Sequence, residues 1–267
     1  MKKGIFTILK IITALYLLVC VLLFFFQENA IFFPEKLEKD YKFSFGQRFE
    51  EINIKTKDGN LLNGLLFKAD ISKGLIFYLH GNAGSLNSWG NVASTYTALN
   101  YDVFILDYRG FGKSEGSING QDQVYEDIQI VYDNLKTKYA EENIIVLGYS
   151  IGTGPAAMLA SVNHPSLLIL QAPYYSLTDM MRHTYPGIPT FLLKYKFETG
   201  EYLKDCKMPV VIFHGDKDEV IYYGSSLKLK EHFKKGDTLI TLNGQVHNGI
   251  TENASYKAAI AKILEEK

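Results

Sequence analysis

Cysteine is nearly absent from this chain of 267 residues: only Cys20 and Cys206 occur. One lies in an apolar run and the other far away in the polar part, so a disulfide framework is excluded. An excess of one charge sign is also lacking. With 28 basic and 29 acidic residues and no basic block, the footprint of a nucleic-acid binder is missing. No internal repeat or low-complexity segment occurs, which leaves out solenoids and compositionally disordered tracts. What remains is globular composition, 47% hydrophobic and 21% charged, long enough for one large domain or two small ones.

Charge is missing altogether from residues 11–26. That stretch falls a little short of the about 20 residues a helix needs to cross a bilayer. Residues 5–9 close the gap once the Lys10 amine snorkels toward the head groups. No small-x-small cleavage site follows Phe26, where Gln27-Glu28-Asn29-Ala30 come next. Val19, before Cys20, is not the small residue that precedes a lipidated cysteine. We expect an uncleaved single-pass membrane anchor over residues 1–29, ahead of a cleaved signal peptide or a buried core helix. Lys2, Lys3 and Lys10 flank the run on one side, and Lys36, Lys39 and Lys42 follow on the other. The nearer flank carries more weight, and long downstream domains translocate despite their charge. The expected topology is therefore a cytoplasmic N-terminus and an extracytoplasmic domain. Residues 30–48 read as a juxtamembrane connector, with Ile31-Phe32-Phe33-Pro34 resting in the interface or packing on the domain.

From Phe49 onward the pattern changes. Residues 49–56 alternate as a strand does, Lys57-Asp58-Gly59-Asn60 is a hairpin turn signal, and residues 61–67 return. Continuous apolar runs follow at 75–79, 103–106, 144–147, 167–170, 210–213 and 239–242, as expected of strands covered on both faces. Helical patterns lie between them at 86–99, 121–139, 153–163, 225–235 and 252–266. In the second, Val124, Ile128, Val131 and Leu135 recur at helical spacing. This order implies an α/β fold, with a mostly parallel, doubly wound sheet behind an antiparallel N-terminal hairpin, in one domain over 49–267. Chemistry in such sheets gathers in loops beyond the carboxyl ends of the strands.

Gly148-Tyr149-Ser150-Ile151-Gly152 follows one such strand and precedes a helical pattern, the context of a nucleophile elbow. A plain strand-to-helix turn looks the same in isolation. A serine hydroxyl is a poor nucleophile until a base takes its proton. Of the six histidines, His247 alone follows the last strand, in a glycine-containing loop ahead of the last helix. That is where a Ser…Asp…His chain order puts the base. The carboxylate belongs between them after a strand, and both Asp216 and Asp218 in His214-Gly215-Asp216-Lys217-Asp218-Glu219-Val220 qualify. His80-Gly81-Asn82-Ala83-Gly84 follows another strand; it lacks the Lys-Ser/Thr ending of a phosphate-binding loop.

These segments together resemble the alpha/beta-hydrolase superfamily. The likeness covers about residue 49 to the C-terminus. It extends to Asp107-Tyr108-Arg109-Gly110-Phe111-Gly112-Lys113-Ser114, which matches a structural loop of that family. The nearest likeness is to single-pass, membrane-anchored hydrolase-domain proteins with an HGNAG loop, a DYRGFGKS loop and the elbow. The resemblance implies the triad acid at Asp218, with Asp216 as a turn residue, and oxyanion donors in the backbone N–H groups of Asn82 and Ile151. Ile221 stands where the family often has proline. It further implies a small cap at about 173–208, rich in aromatics, which either pack as cap core or meet an acyl chain. Some eukaryotic members of that group are described as thioesterases acting on acylated proteins, and serine peptidases also occur in the superfamily. The implied activity is a serine hydrolase of acyl esters or thioesters, on a small-molecule, lipid-like or protein-borne acyl substrate. It calls for no metal or organic cofactor. A peptidase or amidase, and a non-catalytic scaffold, are the rival readings.

Overall fold

The computed structural model describes residues 2–267. Its centre is an eight-stranded sheet in which apolar runs became buried strands: β4 (Leu75–Leu79), β6 (Asp102–Leu106), β7 (Ile144–Tyr149), β8 (Leu167–Gln171) and β9 (Val210–Gly215) are buried along their whole length. Two longer strands, β2 (Phe49–Lys55) and β3 (Leu61–Phe67), form the expected antiparallel hairpin, and β10 (Thr238–Leu242) closes the far edge. The spatial order is β10-β9-β8-β7-β4-β6-β3-β2. β3 meets β6 antiparallel, and every pairing from β6 to β10 is parallel. The chain runs from β4 to β6 on one side and then to β7 on the other. Winding therefore reverses around β4, which opens a crevice at the carboxyl ends of β4 and β7.

Helices cover both faces. On one, α4 (Gln121–Lys136) buries Val124, Ile128, Val131 and Leu135 beside α5 (Thr153–Ser161), α7 (Thr199–Leu203) and α8 (Gly224–Lys230). On the other, α9 (Ala254–Glu265) buries Tyr256, Ile260 and Leu264, again at helical spacing. The expected helix at 86–99 is broken into α2 (Leu86–Trp89), a 3-10 turn (Gly90–Val92) and α3 (Ala93–Thr97). Phe45 packs onto Gly90 so closely that a Cβ there would lie 2.3 Å from its ring. The glycine that permits this contact is also a poor helix former. The expected helix at 252–266 starts later, after a 3-10 turn over Ile250–Glu252.

The N-terminal helix α1 (Lys2–Ile31) is long and apolar enough to cross a membrane, with a mean hydropathy of 2.7 over its best window and only Cys20 and Gln27 buried. It runs into the domain without a free linker. The Gln27 amide donates to the Leu192 carbonyl at 3.1 Å and accepts from the Lys194 N–H at 2.8 Å. Phe32 is buried edge-on to Tyr195, so the 31–34 segment packs on the domain. The short strand β1 (Phe33–Pro34) pairs in parallel with β5 (Ala83–Gly84). The cap carries α6 (Leu177–Thr184). Its aromatics divide: Tyr174 and Tyr195 are fully buried, while Tyr185 and Phe191 are exposed.

Arg109 is an architectural residue. Its guanidinium forks onto Asp58 in the β2–β3 turn, at 2.6 and 2.9 Å, and onto Asp127 of α4. The guanidinium, with the Thr56 hydroxyl, holds the Asp58 carboxyl well below the usual carboxylate range. Asp127 is buried, and Arg109→Ala would leave its charge without a partner. We expect a loss of about 3 kcal/mol in chemical denaturation. Arg109→Lys should recover little of it, because an ammonium cannot fork onto two carboxylates. Unchanged stability in Arg109→Ala would remove the pin from the account of the fold.

Candidate active site

Ser150 sits at the turn from β7 into α5, with a φ of 52°. A non-glycine residue in that region carries about 1–3 kcal/mol of strain, which the surroundings must sustain. The two glycines make the turn possible by close approach. A Cβ on Gly148 would lie 2.5 Å from the Gly152 carbonyl oxygen, and one on Gly152 would lie 2.2 Å from that of Leu79. Tyr174 braces the turn from the cap side: its hydroxyl donates to the Ile151 carbonyl at 2.9 Å and accepts from the Gly154 N–H at 3.2 Å.

Three of the expected side chains meet. His247 Nε2 lies 3.0 Å from Ser150 Oγ, and His247 Nδ1 lies 2.7 Å from Asp218 Oδ2. Ser150, Asp218 and His247 are all nearly excluded from solvent. The Tyr149 hydroxyl donates to the His247 carbonyl at 2.8 Å and fastens the base's loop to the elbow. Asp216 points elsewhere, accepting the Gly244 N–H at 2.6 Å.

The two oxygens of Asp218 are used differently. Oδ1 accepts the N–H groups of Val220 and Ile221 at 2.9 and 2.8 Å, while Oδ2 faces the imidazoles. Burial alone would push this carboxyl up. Hydrogen bonds from His214 and His247, the charge of His247 and the Ile221 amide outweigh burial and hold it well below the usual carboxylate range. Such a carboxylate stays ionised and presents an acceptor to Nδ1–H, leaving the lone pair of Nε2 toward the serine.

The contact from His214 is not legible in the sequence pattern. This imidazole is fully buried, 3.3 Å from Asp218 Oδ2 through Nε2. The same nitrogen donates to the Ile221 carbonyl at 2.9 Å, and Nδ1 lies 2.6 Å from the Ser226 hydroxyl. The only clue in the chain is the spacing of four residues between His214 and Asp218.

Asn82 lies just beyond β4, whose Leu79 pairs with Gly148 of the elbow strand. Its side chain and carbonyl are both engaged by the end of α1 and the strand after it. Asn82 Nδ2 donates to the Ile31 carbonyl at 3.0 Å, and the Phe33 N–H donates to the Asn82 carbonyl at 2.8 Å. Asn82 thus follows the carboxyl end of β4, and Ile151 lies in the turn that follows β7. Among the described residues, no group of three or more His, Cys, Asp or Glu side chains is placed to hold a metal ion.

Comparison with known proteins agrees with this architecture. A family model described as serine aminopeptidase, S33, matches residues 70–198. Human alpha/beta hydrolase domain-containing protein 17B is 28% identical, over 85% of this chain and 80% of the relative. Protein 17C of the same name from Xenopus tropicalis is 29% identical, over 82% and 70%. Among solved structures, an esterase from Pyrococcus furiosus superposes with a TM-score of 0.70 at 19% identity, covering 88% of this chain and 97% of that one. Est1E from Butyrivibrio proteoclasticus, solved with ferulic acid bound, gives 0.66 at 20% identity, covering 80% and 96%. With its reversal of winding around β4 and its strained serine after β7, this chain belongs to the alpha/beta-hydrolase superfamily.

Proposed function

We propose that this hydrolase is a serine hydrolase of acyl esters or thioesters, working through Ser150, His247 and Asp218 and held at a membrane by α1. The observation that carries the reading is the unbroken contact from Ser150 Oγ through His247 to Asp218, set on a left-handed serine. As Oγ bonds to the acyl carbon, His247 Nε2 takes its proton and the carbonyl electron pair moves onto oxygen. The Asn82 and Ile151 N–H groups receive that oxyanion; each such donor lowers the barrier by about 3 kcal/mol. Collapse breaks the bond to the alcohol or thiol, which leaves with the proton from His247. Water then repeats the sequence on the acyl-enzyme and releases a carboxylic acid and free Ser150.

The membrane part rests on α1. α1 is kinked at Phe26, and the straight stretch before the kink, residues 2–25, spans about 36 Å at 1.5 Å per residue, longer than the about 30 Å of a hydrocarbon core. The hydrolase domain then lies on the extracytoplasmic side. A second reading, hydrolysis of aminoacyl amides, draws on the serine-aminopeptidase description of the matching family model.

A fluorophosphonate probe and a paired substrate panel test both readings. Wild type should label and should cleave p-nitrophenyl esters and acyl thioesters, with little action on aminoacyl p-nitroanilides. Cleavage of the anilides alone would move the assignment to the peptidase. Absence of labelling would end the serine-hydrolase reading.

A further inference from the structure

A cleft of about 370 Å³ opens between the two loops that flank the serine. Ala83 and Gly84, just past Asn82, form one rim, and Asn248 and Gly249, just past His247, form the other. Its aromatic lining is Tyr78, Trp89 and Tyr149. The Trp89 ring centre lies 5.4 Å from that of Tyr149, which in turn lies 5.5 Å from that of His247. The wall therefore begins one ring away from the group that must protonate the departing atom. Trp89 spends its indole N–H on the Ala83 carbonyl and stacks one face on His80.

The cleft's polar lining sets two acceptors, Glu252 and the Gln171 carbonyl oxygen, among Ser88, Asn248, Thr251 and the tyrosine hydroxyls. Glu252 is its only ionisable acid or base apart from the tyrosines. Gln171 lies fully buried at its floor. Its amide nitrogen donates to the hydroxyls of Tyr96 and Tyr256, at 3.0 and 2.6 Å, which leaves Oε1 as an acceptor without a partner among the described residues. Burial first, and then neighbouring charges that include Glu252, push the Tyr78 and Tyr149 hydroxyls up, so both stay neutral. Across the elbow the surroundings are different. The gap beside Ile151, walled by Phe32, Tyr108, Pro155 and Phe197, is only about 10 Å³ and has no charged side chain.

The Glu252 carboxylate and the unpaired Gln171 carbonyl oxygen disfavour an anion, and together with the aromatic faces they favour a cation. We propose that this cleft receives an ammonium group carried by the leaving alcohol or thiol, so that the protein prefers esters or thioesters of amino alcohols or amino thiols. This inference rests on the serine-hydrolase reading of the same site and adds the chemistry of the group expelled.

The test compares butyrylthiocholine with the uncharged thioester in which carbon replaces the ammonium nitrogen. The full-length protein is assayed in neutral detergent, with thiol release followed and rates normalised to alkaline hydrolysis. Wild type should favour the cationic thioester by roughly tenfold in kcat/KM, the size of one partly desolvated cation–aromatic and carboxylate contact. Glu252→Gln should bring the two substrates to within about threefold, with the loss falling on the cationic thioester. Equal use of both thioesters by a wild-type protein that labels normally would overturn the cation cleft and leave the serine hydrolase standing. So would a preference that survives Glu252→Gln, or a stronger preference for a neutral glycosyl ester. A wild type that does not label at all would remove the underlying reading instead.

Discussion

Ser150→Ala is expected to lower the hydrolysis of any ester the protein accepts by roughly a millionfold, to the residual rate that binding and oxyanion donors sustain alone. On the proposed mechanism, the Oγ supplies the bond on which both half-reactions depend. Its one hydrogen-bond partner is His247, and its backbone conformation is imposed by Gly148, Gly152 and the Tyr174 brace. Alanine keeps that conformation and that packing, so the denaturation midpoint should move little while turnover and fluorophosphonate labelling vanish. Activity above about one hundredth of wild type would mean that another group attacks the substrate.

The second large effect is expected at Asp218. Replacement by asparagine should cost roughly ten-thousandfold in kcat, because an amide facing Nδ1 permits the tautomer whose Nε2 carries a proton and cannot accept one from serine. The surroundings sharpen this expectation. Val220 and Ile221 N–H groups point at one carboxylate oxygen and the two imidazoles face the other. A carboxylate accepts from all of them; the NH2 of asparagine must turn toward a donor. The lowered carboxyl of Asp218 also bears on pH. A carboxylate held below its unfolded value stabilises the native state above that value, and the contribution disappears as pH falls through the folded one. Wild type should therefore lose stability on acidification below about pH 4, where unfolded aspartate begins to take a proton. The asparagine variant should start lower and show a flatter curve there. Parallel curves of denaturation midpoint against pH would remove Asp218 from that linkage.

Much of the architecture is readable from residue order because its signals are local. The runs at 75–79 and 144–147 are apolar on both sides of the strand, and β4 and β7 are covered on both faces. Asp58-Gly59 announces a hairpin that forms as expected. The meeting of Ser150 and His247 with a carboxylate was foreseeable from chain order and strand ends, since a parallel sheet brings those ends to one edge, but choosing Asp218 over Asp216 took the family resemblance. Contacts made by a few residues over long separations carry no such signal. The pairing of Phe33 and Pro34 with Ala83 and Gly84 involves two residues on each side, too few for any periodicity. The break at Gly90 depends on Phe45, a residue from the connector. The cleft joins Gln171, Glu252 and Trp89 from three separate elements, each unremarked in its own stretch of chain.

The junction between the N-terminal helix and the domain has a consequence for reach. A domain on a loose tether of n residues sweeps a volume that grows as about 5–6 Å × √n and can meet substrates at many distances from its point of attachment. Here Gln27, Phe32 and Phe33 are already fastened to the cap and to the loop of Asn82 before the chain leaves the helix by more than two residues. The serine stands at one altitude above the helix, and lengthening the helix by a single residue would raise it by only about 1.5 Å. Wherever that helix is held, a substrate must bring its carbonyl to the level of Ser150, because the enzyme has no slack with which to go down and fetch it.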